Sequence, residues 1–167
     1  MSGKLVFCPF SNDLLRDWPI DYYRALAERC LSELELVISV LGAPAQRQLG
    51  NLLVRGLPAD RIRNDCGRLK WHEVEQTLES ATAVVGNNSG LAHLAGQRGA
   101  PTLVVFSGTV PYVEWMPRGP KVALVTKKTV CSPCDSVFCP YNKRCLREIT
   151  PDIVFDQLTD LMVSSPP

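Results

Sequence analysis

The chain has 167 residues, 46% of them apolar and 21% charged, and its 18 basic and 17 acidic side chains leave a net charge of +1. That balance argues against a nucleic-acid binder, which usually shows a strongly basic domain or face, and no run approaches the roughly 18 apolar residues of a membrane span. Length and composition predict a single domain, residues 1–167, with a core of its own. The opening Met1-Ser2-Gly3-Lys4-Leu5-Val6-Phe7-Cys8 superficially resembles a lipoprotein leader. Its apolar part, Leu5 to Cys8, is shorter than the roughly 7 to 15 residues of a signal core, so the expected location is cytoplasmic.

In chain order, Lys4 to Cys8 reads as a first strand before Pro9. Asp21 to Leu34 carries apolar residues in steps of three and four, the mark of one helix face, with Pro19 just before it. Leu36 to Val40 is a second buried strand, Ala45 to Arg55 a helix stopped by Gly56, and Arg61 to Asn64 a weak third strand. Trp71 to Ser80 is a third helix, Ala83 to Gly86 a fourth strand, and Ser89 to Arg98 a helix stopped by Gly99 and Pro101. Thr102 to Phe106 and Val122 to Val125 are the fifth and sixth strands. Thr150 and Pro151 suit the N-cap and first position of a last helix reaching about Val163, with a frayed tail over 164–167. Apolar, β-branched strands alternating with helices predict a Rossmann-like α/β three-layer sandwich around a mainly parallel six-stranded sheet.

In such sheets ligands sit beyond the carboxyl ends of the strands, where helix N-termini offer free N–H groups and a positive dipole end. Asn87-Asn88-Ser89-Gly90 follows the fourth strand and opens a helix, so its loop chemistry suits an anion. The plainer alternative is a capped strand-to-helix turn, of which any such fold has several.

The stretch GNNSGLAHLAGQRGAPTLVVFSGTVPYVEWMPRG then carries a resemblance. It resembles the nucleotide-sugar end of bacterial lipopolysaccharide heptosyltransferases, which read D-S-G-x-x-H-L-A-A-A-x-G-x-P-T, a strand, G-x-T-x-P and W-x-P. Ser89, Gly90, His93, Leu94, Ala95, Gly99, Pro101 and Thr102 fall in register, and Gly108, Thr109, Pro111, Trp115 and Pro117 continue it. Arg16-Asp17-Trp18-Pro19 matches the family's basic residue before Trp-Pro.

The resemblance implies one half, the donor-binding C-terminal half, of a glycosyltransferase B arrangement. It implies an ADP-sugar donor held by Ser11, Asn12, Arg16, Asn88, Ser89, Gly90, His93 and Thr109, and no cofactor for transfer. The acceptor glycan and the catalytic aspartate would belong to an N-terminal domain, so no catalytic residue is assigned here and the chain alone is expected to transfer little or nothing. The resemblance is also compatible with peripheral association with the inner membrane. From the residues alone, Trp18 and Trp115 read as packing residues, and His93 reads equally as a structural histidine or a ligand contact.

Three positions depart from the family pattern. The acid of D-S-G is Asn88, which carries no charge, and the acid of T-D-P is Val110. A ribose-binding glutamate after strand two is replaced within Gly42-Ala43-Pro44-Ala45-Gln46. These losses favour an alternative function, a freestanding nucleotide-binding or regulatory module without transfer activity. The cysteine-rich segment 131–145 adds a separate expectation: Cys131, Cys134, Cys139 and Cys145 at such spacing suggest a structural tetrahedral zinc site. Reduced thiols or one disulfide are the alternative there, and a zinc module docking on a macromolecule is a third reading of the whole chain.

Overall fold

The computed structural model describes residues 3–164; Met1, Ser2 and residues 165–167 of the expected tail lie outside that range. Six strands, β1 (Gly3–Cys8), β2 (Leu36–Val40), β3 (Ile62–Asn64), β4 (Ala83–Asn87), β5 (Thr102–Phe106) and β6 (Val122–Thr126), form one sheet. Their order is β3-β2-β1-β4-β5-β6 and every neighbouring pair is parallel. The weak third strand is present because Ile62 and Asn64 pack inward while Arg63 stays exposed.

Among the described residues five helices lie between strands, α1 (Ile20–Glu33), α2 (Arg47–Val54), α3 (Trp71–Glu79), α4 (Gly90–Gln97) and α5 (Tyr112–Trp115), and two follow β6, α6 (Arg144–Arg147) and α7 (Pro151–Val163). The single turns α5 and α6 were absent from the pattern-based reading, since four residues are too few to display a helical period. The helix expected from Ala45 starts instead as a 3-10 turn, Pro44–Gln46, because the Gln46 side chain folds back to accept from Ala43 N at 2.7 Å. The last helix begins as expected, with Thr150 Oγ1 accepting from Ile153 N and Pro151 at the first position.

Strand alternation divides the core into two layers. Leu5 and Phe7 of β1 pack with Leu26 and Cys30 of α1, Leu53 of α2 and Leu158 of α7. Val6 and Cys8 face the other way, onto Leu78 of α3 and Ala95 of α4. Tyr23 joins the first layer edge-on to both Phe7 and Trp18, with ring centroids 5.5 and 4.9 Å apart. Such pairs add about 0.5–1.5 kcal/mol beyond area burial.

Strand order reverses between β1 and β4, and the loops leaving those two strands diverge there. That point is where an open parallel sheet leaves a crevice.

Candidate functional site

A cavity of about 590 Å³ opens at this crevice. The β1 loop contributes Ser11, Asn12 and Arg16, and the β4–α4 junction contributes Asn88, Ser89, Gly90 and Leu91. The far wall comes from the β2 loop, from Asp65, Gly67 and Leu69 after β3, and from Trp71 and Val74 of α3.

One buried side chain holds the two sides of the crevice in place. Asn87, the last residue of β4, accepts at Oδ1 from Trp18 N and Tyr23 Oη and donates through Nδ2 to Pro9 O and Asp17 Oδ1. Its amide therefore has all its main partners, as a fully buried polar group requires. Burial pushes the Asp17 carboxyl above the usual carboxylate range, opposed first by Ser11, then by the Asn87 bond and by Lys143 nearby. Lys143 Nζ donates to Leu14 O and Asp17 O, pinning the same loop from the cysteine-rich side. Sequence reading missed Asn87 and Asp17 as organisers, because no local pattern shows that the two loops meet.

Within the crevice, Ser89 is the N-cap of α4, yet its side chain makes no capping bond. Ser89 Oγ and Arg16 Nε are buried side-chain atoms without a hydrogen-bond partner among the described residues, and both residues line the same cavity. Asp13 Oδ2 lies 3.3 Å from Arg16 Nε, close enough for an ion pair but not aligned as a hydrogen bond. Ser11 is committed locally, its Oγ donating to Asp13 O and accepting from Asp13 N. At Gly90 an added Cβ would meet nothing within 4 Å and the backbone needs no left-handed φ, so the fold itself does not demand glycine there. By contrast Gly67, at φ +62°, lies so close to Pro44 that a Cβ would sit 2.5 Å from its Cα.

The remaining expected residues are placed as follows. His93 Nε2 lies 3.1 Å from Asn88 Oδ1, one turn into α4, and does not line the cavity. Burial lowers its pKa, opposed by a hydrogen bond with the Trp115 backbone. Trp18 is packed in the core with Nε1 donating to Ile149 O, whereas Trp115 is 52% exposed. Thr109 follows β5 on the same sheet edge but lines a second cavity of about 300 Å³, where its hydroxyl bonds Ser107 Oγ.

That second cavity is also lined by Cys131, Cys134, Cys139 and Cys145. Among the described residues no three His, Cys, Asp or Glu side chains gather as a set able to hold a metal ion, so the expected zinc ligands are not preassembled. The thiols are held separately instead. Gly108 N donates to Cys145 Sγ, Lys143 N donates to Cys139 Sγ, and Thr129 Oγ1 bonds Cys131 Sγ. All seven cysteines are free thiols.

Fold and crevice together define a Rossmann-type α/β protein with a cavity at its topological switch point. The chain belongs to glycosyltransferase family 9 (heptosyltransferase), whose sequence profile matches residues 1–144. It is 31% identical over 138 residues to lipopolysaccharide heptosyltransferase 1 of Pseudomonas aeruginosa, an alignment covering 83% of this chain and 38% of that protein. Its fold matches that of E. coli ADP-heptose lipopolysaccharide heptosyltransferase II with a TM-score of 0.83 at 21% identity, over 98% of this chain and 47% of that one. An E. coli heptosyltransferase solved with ADP matches with a TM-score of 0.77 at 18% identity, over 96% of this chain and 44% of that one. The chain thus spans less than half the length of these relatives. No helix among the described residues is long and apolar enough to cross a membrane.

Proposed function

We propose that this chain is the donor-binding half of a family 9 glycosyltransferase acting in lipopolysaccharide or related surface-glycan synthesis, and that the crevice holds the diphosphate of an ADP-sugar. The observation that carries this reading is the pair of buried atoms without a hydrogen-bond partner among the described residues, Ser89 Oγ and Arg16 Nε, the latter ion-paired only with Asp13, lining one cavity at the N-terminus of α4. A buried unsatisfied polar atom costs about 1–3 kcal/mol. Phosphate oxygens would satisfy both atoms, and the helix dipole would add to the attraction. Gly90 leaves the backbone open to close approach.

In the proposed reaction an acceptor hydroxyl oxygen attacks the anomeric carbon of the donor. The bond from that carbon to the diphosphate oxygen breaks, its electron pair leaves with ADP, and the configuration inverts. The hydroxyl proton goes to a base on the acceptor-binding half of the enzyme. Arg16 stabilises the charge developing on the departing diphosphate. Asn88 stands where the family pattern has an acid and is already engaged with His93, so recognition of the sugar is weaker here than recognition of the phosphates. Alone, the chain binds donor and does not transfer, on the cytoplasmic side where nucleotide-sugars are made; transfer from ADP-heptose by the chain alone would contradict this.

Calorimetric titration of the chain with ADP tests the reading. Arg16→Ala should weaken ADP about ten- to a hundredfold, the loss of one charged hydrogen bond, and leave adenosine unaffected. Absence of ADP binding at millimolar concentration, or an unchanged affinity in the variant, overturns it.

A further inference from the structure

The cavity has two unlike halves. Arg16 and Ser89 are cationic or polar, whereas Leu41, Leu69 and Val74, with Leu91 just beyond the start of α4, make the rest of the lining apolar. At the rim of that apolar half stands Trp71, with 63% of its surface exposed. An indole is a costly group to leave in water, and the start of its helix has a cap that does not involve it. Trp71 is the first residue of α3, and the helix start is held by the Lys70–Glu73 capping pair, with Lys70 N donating to Glu73 Oε2 at 2.6 Å. The indole NH has no hydrogen-bond partner among the described residues, and the helix contributes Leu78 to the core instead.

We propose that Trp71 is a nucleobase platform: its exposed indole face stacks on the base of the nucleoside diphosphate whose phosphates lie at Arg16 and Ser89. This rests on the functional reading above and extends it to a residue outside the diphosphate site. The split of the cavity suits such a ligand, which is anionic at one end and presents a flat π-face at the other. Stacking on an aromatic side chain needs no particular base edge, only a π-face. It also leaves the polar groups of the base at the open rim, where water can satisfy them. Asp65, only 8% exposed, lines the stretch between the two halves and directs Oδ2 to Ser39 Oγ and Arg63 Nε, so its charge is already compensated.

The test compares ADP with inorganic pyrophosphate on the full chain, the Trp71→Ala variant and the Trp71→Phe variant, by calorimetry and thermal melting. Loss of one base–aromatic stack predicts that Trp71→Ala weakens ADP by about ten- to a hundredfold. Pyrophosphate affinity and melting temperature should stay at wild-type values, and Trp71→Phe should recover most of the ADP affinity. In a Trp115→Phe background, ADP should quench tryptophan emission and pyrophosphate should not, because Trp18 is buried away from the cavity. Wild-type ADP affinity in Trp71→Ala, or an equal loss for pyrophosphate, overturns the platform while leaving the diphosphate site standing. Failure of the wild type to bind either ligand overturns both.

Discussion

A serine at the N-cap of a helix ordinarily stabilises it by bonding a free N–H of the first turn, and its replacement by alanine costs about 0.5–2 kcal/mol. Ser89 makes no such bond, so Ser89→Ala should leave the melting temperature nearly unchanged while weakening ADP several-fold. Gly90→Ala should separate the two roles further. Alanine is the better helix former by up to about 1 kcal/mol, and nothing lies within 4 Å of the new methyl group. The variant should therefore be at least as stable as the parent, yet bind ADP less well because the methyl occupies the approach to the backbone. Loss of stability in either variant would show that these residues serve the fold.

His93 supplies a pH-dependent signal at the same scale. Burial holds its pKa below the ordinary histidine value of about 6.5, so the unfolded chain binds the proton more readily than the folded one. Stability contributed by neutral His93 is complete above that ordinary value and is lost as pH falls towards the lower folded pKa. Urea titrations across this window should show the decline in the parent and a flatter profile in His93→Gln. Asn88→Asp would place a carboxylate where Asn88 Oδ1 now lies 3.1 Å from the ring, and should raise the His93 pKa in an NMR titration.

At the scale of elements, the strands are uniform and the loops are not. β1, β4 and β5 are buried on both faces, so their apolar runs announce them, whereas the loops after them differ in what holds them. The loop after β1 is fixed by Asn87 and Lys143, and three thiols of the cysteine segment take part in N–H···S and hydroxyl bonds. Thiol labelling of the native chain should therefore modify Cys131, Cys134 and Cys139 first and Cys145 more slowly, since burial raises the Cys145 pKa. Cys8, Cys30 and Cys66 are buried and should react only on unfolding; burial pushes the Cys66 thiol up to about 11 and Cys30 up to about 12. Protein prepared without chelator should carry less than about a tenth of an equivalent of metal. A full equivalent with four protected thiols would mean that the segment rearranges around an ion.

For the whole molecule, the alternation of buried strands with amphipathic helices was enough to determine a parallel α/β sandwich. Strand and helix periods are local properties, set by which face of each segment avoids water. The register of Ser89, Gly90, His93 and Gly99 with a known motif likewise determined the family, and Thr150-Pro151 the start of the last helix. The resemblance grouped Arg16, Ser89 and Thr109 around one donor, but only the tertiary structure decided that Thr109 opens on a cavity other than the one lined by Arg16 and Ser89, and that Trp71 completes the far wall. It also decided that the clustered cysteines lie around a cavity without gathering as metal ligands. The reason is that strand order places β1 beside β4 and brings their loops together across the switch point, and contacts between segments far apart in the chain leave no period or composition within either one.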